Sequence, residues 1–394
     1  MEWLVAVMVC WLLPAVLLLS AHMTPEKLIF NFIGPAFLAP PALLMRLILT
    51  VFRCFMKPQL PPRETIPVTE QLSANWDGRG GGYRAGIGVY ASVWTRDSFF
   101  GLFAPIPERG ARLRALCDRL RDNRATVKSA GPYGYDSSCA PAIANYAHVP
   151  FQFNEVWYIM STLLGRAVMR ARPVVLYRDE KYGQPVMDVN AQYVIMISEA
   201  FAITKDREWL ESHAQALSQT LAFYDLYSDA AGLVHEQPFG NWEDSLLFSG
   251  ARAFTNLLYL EAVRRAHDLF KELGSHSEEE NYDRLWQRIY EPTMQLIATQ
   301  RDTETVALAA LWLPNEKRIE SWMREMLERG FEDAGIIVLN RFMKAMERFG
   351  TIHEVYNAAD ENPICNTLYR SETHFSMGIG PYLFAIHSKE ELER

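Results

Sequence analysis

The sequence predicts an all-α protein, an (α/α)6 barrel in which six helical hairpins close into a ring, preceded by N-terminal hydrophobic helices able to span a membrane. Three observations predict it. Apolar residues recur at helical spacing in segment after segment. Only short β-like runs interrupt them, such as PVVLY (173–177) and GIIVL (335–339). The first 57 residues hold two long apolar stretches.

The N-terminal element comes first. Residues 3–20 read WLVAVMVCWLLPAVLLLS without a charge, close to the roughly 20 residues that a helix needs to cross a bilayer core. Glu2 and the lack of Lys or Arg before the run argue against a cleaved signal peptide. A second stretch, 28–56, is broken by Pro35, Pro40, Pro41 and Arg46, as in a kinked span or an interfacial segment. These residues predict a membrane anchor over 1–57 and a membrane localisation, with the bilayer as a partner. Residues 58–87 read as linker and loop, opening with the Pro-rich PQLPPRETIP and containing DGRGGGYRAGIG. The barrel is expected over 88–394.

The helices of the barrel follow from periodicity. Trp209, Leu210, His213, Leu217 and Leu221 share one stripe of a helix over 206–224. Similar stripes mark 110–122, 153–171, 189–203, 252–272, 279–298, 317–329 and 338–349, and a last helix is expected over 375–387. Pairs of such helices, closed into a ring, bury an inner layer and leave loops to build a site at one end.

Composition bounds the function. The chain has 394 residues, 49% hydrophobic and 22% charged, which is globular rather than disordered. A net charge of -8 without a basic cluster excludes a nucleic-acid partner. Five widely spaced cysteines without a C-x-x-C read as buried thiols. The nine histidines form no metal-ligand pattern, so neither metal nor cofactor is expected. Phosphate-cradling, zinc-protease and serine-hydrolase motifs are missing from the sequence.

Three segments put charge among aromatics at helix ends. In VYASVWTRDSFFGLF (89–103), Arg96 and Asp97 lie between Trp94 and Phe99. Burying such charges is costly unless they pair or meet a polar ligand; a structural Arg–Asp pair capping a helix is the plainer alternative. In GLVHEQPFGNWEDSLLFSG (232–250), Trp242 precedes Glu243 and Asp244, and Asp244 could equally be a helix N-cap. In TIHEVYNAADENPICNTLYRSETHFSMGIGPYL (351–383), Glu354 stands between His353 and Tyr356, with Glu372 as a competing carboxylate.

Taken in order over roughly 88–390, these segments resemble the six-hairpin glycosidases, nearest to the glucoamylase family, with the glycogen-debranching and neutral-invertase families as cousins. W-T-R-D-S (94–98) resembles the motif that holds sugar hydroxyls, DVNAQYVIMISEAFAITKDREWL (188–210) the helix pair before the acid, G-N-W-E-D (240–244) the general-acid segment, and H-E-V-Y (353–356) followed by H-F-S-M-G (374–378) the general-base segment. The resemblance implies an inverting glycoside hydrolase with a small-molecule or oligosaccharide substrate. The acid is Asp244 or Glu243, since W-E-D fits both patterns in these families. Glu354 is the base, and Trp94, Arg96, Asp97, Trp242, His353 and Tyr356 bind substrate. One carboxyl would protonate the leaving oxygen while the other activates water across a gap of roughly 6.5–9.5 Å. Two alternatives stay open on the same scaffold: a lyase, isomerase or dehydratase acting on a terpenoid or other lipophilic substrate, and a barrel without turnover.

Overall fold

The structure, a computed structural model, describes residues 63–78, 81–86, 93–123, 142–144, 174–176, 186–236 and 249–300, with isolated positions over 305–317 and 343–351. All of these belong to one compact unit.

Helices α1 (Val68–Asn75), α2 (Thr95–Gly101), α3 (Arg109–Asp122), α4 (Asp188–Thr204), α5 (Arg207–Ala222), α6 (Ala253–Leu273) and α7 (His276–Gln300) carry most of the unit. The last six make three consecutive hairpins, α2–α3, α4–α5 and α6–α7. Burial separates two layers. Every residue from Met187 to Ile197 is buried, and so is every residue from Ala253 to Val263, so α4 and α6 are packed on all sides. Helix α5 instead buries one stripe, Trp209, Leu210, His213, Ala216, Leu217, Thr220 and Leu221. Helix α7 does the same with Tyr282, Ile289, Thr293, Met294 and Ile297. All-round burial marks an inner helix and a single stripe an outer one.

Contacts at the two ends fix the directions. Arg96, in the first turn of α2, meets Asp188, the first residue of α4. The Tyr224 hydroxyl donates to Met187 O and accepts from Ala191 N at 2.9 Å, while its ring lies 4.4 Å from that of Tyr259 in α6. At the far end Glu199 of α4 binds both Arg109, which starts α3, and Arg265, late in α6. Helices α2, α4 and α6 are therefore parallel, and α3, α5 and α7 return outside them. Gln300, the last residue of α7, confirms the return. Its Oε1 accepts from Ala253 N at 2.8 Å, and its Nε2 donates to Ala251 O at 2.9 Å.

The turns at the far end follow known chemistry. Helix α6 ends in a Schellman motif, with Ser275 N on Phe270 O and Gly274 N on Lys271 O, and Gly274 takes the left-handed conformation at φ 72°. Helix α4 ends at left-handed Lys205. Asp206 then caps α5 by accepting from Trp209 N at 3.0 Å. Residues 204–206 thus form the turn between the two helices of the 188–210 pair.

The first described residues of the unit meet the last ones. Glu64 N donates to Phe349 O at 2.6 Å, and the Gln71 amide in α1 bridges Ile66 O and Gly350 O. Gly350 has φ 67°, and a Cβ there would overlap the Glu64 carbonyl oxygen. Contact between the first helix and the helical residues 346–349 is what an array of hairpins needs to close on itself.

The expected helices 110–122, 189–203, 206–224, 252–272 and 279–298 are present within a few residues of their bounds, the third ending in a 3-10 turn at Phe223–Leu226. The region 58–87, expected as linker and loop, contains α1 and the hairpin of β1 (Trp76–Asp77) and β2 (Gly82–Tyr83). The β-like run at 173–177 supplies strand β4 (Val174–Leu176), paired with β3 (Ala142–Ala144). The helices expected over 153–171 and 375–387, most of 317–329 and the run 335–339 lie outside the described residues.

The expected membrane localisation is corrected. Among the described residues no helix is long and apolar enough to cross a membrane. Helices α6 and α7 have the length, 21 and 25 residues, but their polar faces carry Arg264, Arg265, Asp268, Glu278 and Glu279. The stretches 3–20 and 28–56 that prompted the expectation lie outside the described residues. The transmembrane part of the predicted fold and the bilayer as a partner lose their support with it.

Candidate functional site

The N-terminal ends of α2, α4 and α6 gather at one end of the unit. Trp94 is the N-cap of α2 in extended conformation and makes no side-chain cap bond. Asp97 is buried in the first turn, where a carboxylate complements the helix dipole. Arg96 crosses to α4: its Nε donates to Asp188 Oδ2 at 2.7 Å. The Arg96 side chain keeps 18% of its surface exposed, and Asp188 none. Arg96 thus meets a carboxylate on the next inner helix.

Asp188 is held from its own helix as well. Gln192, one turn on, donates Nε2 to Asp188 Oδ2 at 3.3 Å. Among the described residues Asp188 Oδ1 and Gln192 Oε1 are buried without a hydrogen-bond partner. The Gln192 amide cannot be turned over, because that would set its oxygen against the carboxylate. Asn190 is buried beside them. The start of α4 is thus a polar patch inside an otherwise apolar helix. Its sequence signal is Asp188 and Gln192 at i and i+4, which share a helix face.

The start of α6 is built around a second hairpin. Strands β5 (His235–Glu236) and β6 (Gly250–Ala251) pair antiparallel, with Glu236 opposite Gly250. Asn256 ties this hairpin to α6: its Oδ1 accepts from Val234 N at 2.7 Å and its Nδ2 donates to Val234 O at 3.0 Å. Glu236 is 2% exposed and accepts from the Thr255 hydroxyl. The chain therefore leaves Glu236 and returns at Ser249 at the end of the unit where Arg96 and Asp188 lie. Trp242, Glu243 and Asp244 fall between those two points, outside the described residues, as do His353, Glu354 and Tyr356.

Charged groups elsewhere are structural in their geometry. Glu199 is half-buried. Burial alone would raise its carboxyl, but Arg265 and Arg109 outweigh this and hold it below the ordinary carboxylate range. His213 is fully buried between outer and inner helices. Its Nδ1 meets Tyr193 OH at 2.9 Å and its Nε2 meets Asp118 Oδ1 at 2.9 Å. Burial pulls its proton affinity below the usual value despite Asp118, so the ring is neutral near pH 7. Among the described residues no group of three His, Cys, Asp or Glu could hold a metal ion.

No family model matches the sequence, and no curated protein matches it. Solved structures do resemble it. A rhamnosidase from Klebsiella oxytoca with rhamnose bound is 11% identical, with 84% of this chain and 66% of that one covered and a TM-score of 0.47. A family GH63 mannosylglycerate hydrolase from Thermus thermophilus, in complex with glucose, is 14% identical over 81% of this chain and 98% of its own, with a TM-score of 0.48. A GH78 rhamnosidase of Bacillus sp. GL1 is 16% identical, with a TM-score of 0.40; 55% of this chain is covered, but only 28% of that enzyme. The chain is similar to glycoside hydrolases of six-hairpin (α/α)6-barrel families. These likenesses concern the fold; the chemistry rests on the residues.

Proposed function

We propose that the protein is an inverting glycoside hydrolase whose site lies where the inner helices begin. The observation that carries this reading is the Arg96–Asp188 pair at 2.7 Å, which unites the starts of α2 and α4 beside the root of the 237–249 segment. In this reading Arg96, Asp97 and Trp94 bind the hydroxyls and face of a sugar ring. Trp242 lies beside the acid, and His353 and Tyr356 flank the base. The acid is Asp244 or Glu243, from the segment that the β5–β6 hairpin roots at this end. The base is Glu354, three residues beyond Thr351, which is buried next to the closure formed by Glu64, Gln71 and Gly350.

The chemistry needs one carboxyl protonated and one ionised at the same pH. The acid gives its proton to the glycosidic oxygen as the bond to the anomeric carbon breaks. The base removes a proton from water, which adds to the opposite face of the ring. Two carboxyls roughly 6.5–9.5 Å apart leave room for that water and give a product of inverted configuration. Asp97 and Arg96 would hold the ring during this exchange, so that binding energy is spent on orientation. The catalytic barrel takes in residues 88–394, and α1 with the β1–β2 hairpin belongs to the same compact unit.

The test is a panel of aryl and natural glycosides, including α-rhamnosides, α-mannosides and mannosylglycerate, with the first-formed anomer read by proton NMR. The expected result is hydrolysis of one class with inversion. It should fall by a factor on the order of a thousand or more in Glu354→Gln and in either Asp244→Asn or Glu243→Gln. Retention of configuration, or full activity in Glu354→Gln, overturns the assignment.

A further inference from the structure

In the reading above Asp188 marks the place of the site but is given no task of its own, yet among the described residues it is the most deeply buried charge at that end of the unit. Its side chain has no exposed surface. One oxygen takes both bonds, from Arg96 Nε and Gln192 Nε2, and among the described residues the other has no hydrogen-bond partner. An unsatisfied buried acceptor destabilises, and a buried ion pair is weak ground for stability. Such a carboxylate points to a task other than folding. The group it acts on is Arg96, which reaches partial exposure at the start of α2 while α4 holds its inner end. Gln192 fixes the carboxylate in turn, and the Tyr224 hydroxyl, engaging Met187 O and Ala191 N, fixes the turn of backbone that carries it.

We propose that Asp188 is a positioning residue: it locks the Arg96 guanidinium in the orientation that recognises a hydroxyl-rich sugar ring, and Gln192 supports it from the next turn. The proposal rests on the glycosidase reading for the identity of the ligand. The coupling of Asp188 to Arg96 stands on the geometry alone. Asp188 acts through Arg96 and need not touch the sugar.

The experiment uses the full chain and the variants Asp188→Asn, Arg96→Ala, the double variant and Asp188→Glu. One arm needs no ligand: the rate at which phenylglyoxal modifies Arg96, read by mass spectrometry of the peptide, alongside the melting temperature. The other arm is calorimetric titration with rhamnose, mannose and glucose. The expected result is that Asp188→Asn melts with the wild type, exposes Arg96 to several-fold faster modification, and weakens sugar binding by about tenfold. In the Arg96→Ala background the same change should cost less than about twofold, because residues acting as one unit are not additive. Asp188→Glu, which keeps the charge, should regain part of the lost affinity, as a merely structural role would not. Unchanged Arg96 modification in Asp188→Asn, or losses that multiply in the double variant, overturns the proposal while sugar binding by the wild type leaves the glycosidase reading standing. A folded wild type that binds none of these sugars counts against the glycosidase reading and the recognition role together. The labelling arm then reports whether Asp188 still holds Arg96. If Asp188→Asn melts early, Gln192→Leu replaces it, with a smaller rise in Arg96 modification expected and no rise overturning the proposal.

Discussion

Replacing Tyr224 by Phe removes a single oxygen from the place where two inner helices begin. That oxygen is inserted into the first turn of α4: it accepts from Ala191 N and donates to Met187 O, two groups four residues apart that would otherwise bond each other. The ring is fully buried against Tyr259 and Phe223, and Phe keeps those contacts. Leaving a buried donor and a buried acceptor both unpaired would cost about 2–6 kcal/mol, at about 1–3 kcal/mol each. The two orphaned groups face each other, however, and a small tightening lets them pair as in any helix. The expected loss is therefore about 1–2 kcal/mol. Urea unfolding followed by circular dichroism measures it, with the midpoint lowered and the slope unchanged. Tyr224→Ala serves as the contrast, at about 3–5 kcal/mol for loss of a buried ring. A Phe variant as damaged as the Ala variant, or one indistinguishable from the wild type, refutes the inserted-hydroxyl account.

Other outcomes follow from the same geometry. The neutral, buried His213 has a folded-state proton affinity below its unfolded one. Its contribution is therefore complete above about pH 6.5 and lost as pH falls below that value. Urea midpoints from about pH 8 to 5 should decline less steeply in His213→Gln, and equal slopes would contradict this. Glu199, depressed by Arg265 and Arg109, contributes above the ordinary carboxylate value and loses that contribution as pH drops through its lowered one. Glu199→Gln should cost about 1–2 kcal/mol at pH 7, the lower part of the range for charged bonds because the group is partly exposed, and no shift in melting temperature would count against the bridge. Gly350→Ala places a methyl on the Glu64 carbonyl at a left-handed position, so a loss above about 2 kcal/mol is expected by calorimetry, and a neutral effect would deny the contact between Gly350 and Glu64.

The long helices were legible because their burial is periodic. The stripe of Trp209, Leu210, His213, Leu217 and Leu221 appears in the fold as the buried face of α5. Helix α1 was not legible. Its sequence VTEQLSAN has Leu72 as its deep apolar anchor, and it is held by the Gln71 bonds to Ile66 and Gly350. Residue 350 is 279 positions away, a partner that local patterning cannot reveal. Helix α2, at seven residues, is too short to show a period. The sequence singles out Arg96 as a charge that is costly to bury alone, whereas Asp188 stands in it only as the first residue of the 188–210 helix pair. The two lie 92 residues apart, and pairing over that distance is a property of the assembled hairpins. Asp188 and Gln192 at i and i+4 gave a local signal of a polar face, visible once the helix is known to be buried all round.

The N-terminal segments show a different failure. The membrane reading of residues 3–20 and 28–56 rests mainly on their length and apolarity, and these do not themselves place a segment in a bilayer. Helices α6 and α7 make the point within the fold: both match a bilayer in length, and both are amphipathic elements of a protein core.

The most direct measurement is a crystal of the full chain soaked with a monosaccharide that the glycoside panel identifies. The account predicts the sugar at the beginnings of α2, α4 and α6, with Arg96 within hydrogen-bond distance of a ring hydroxyl. Glu354 and either Asp244 or Glu243 should lie on opposite faces of the ring. A sugar bound at the far end, beside Glu199 and Arg265, or one that leaves Arg96 untouched, would contradict it.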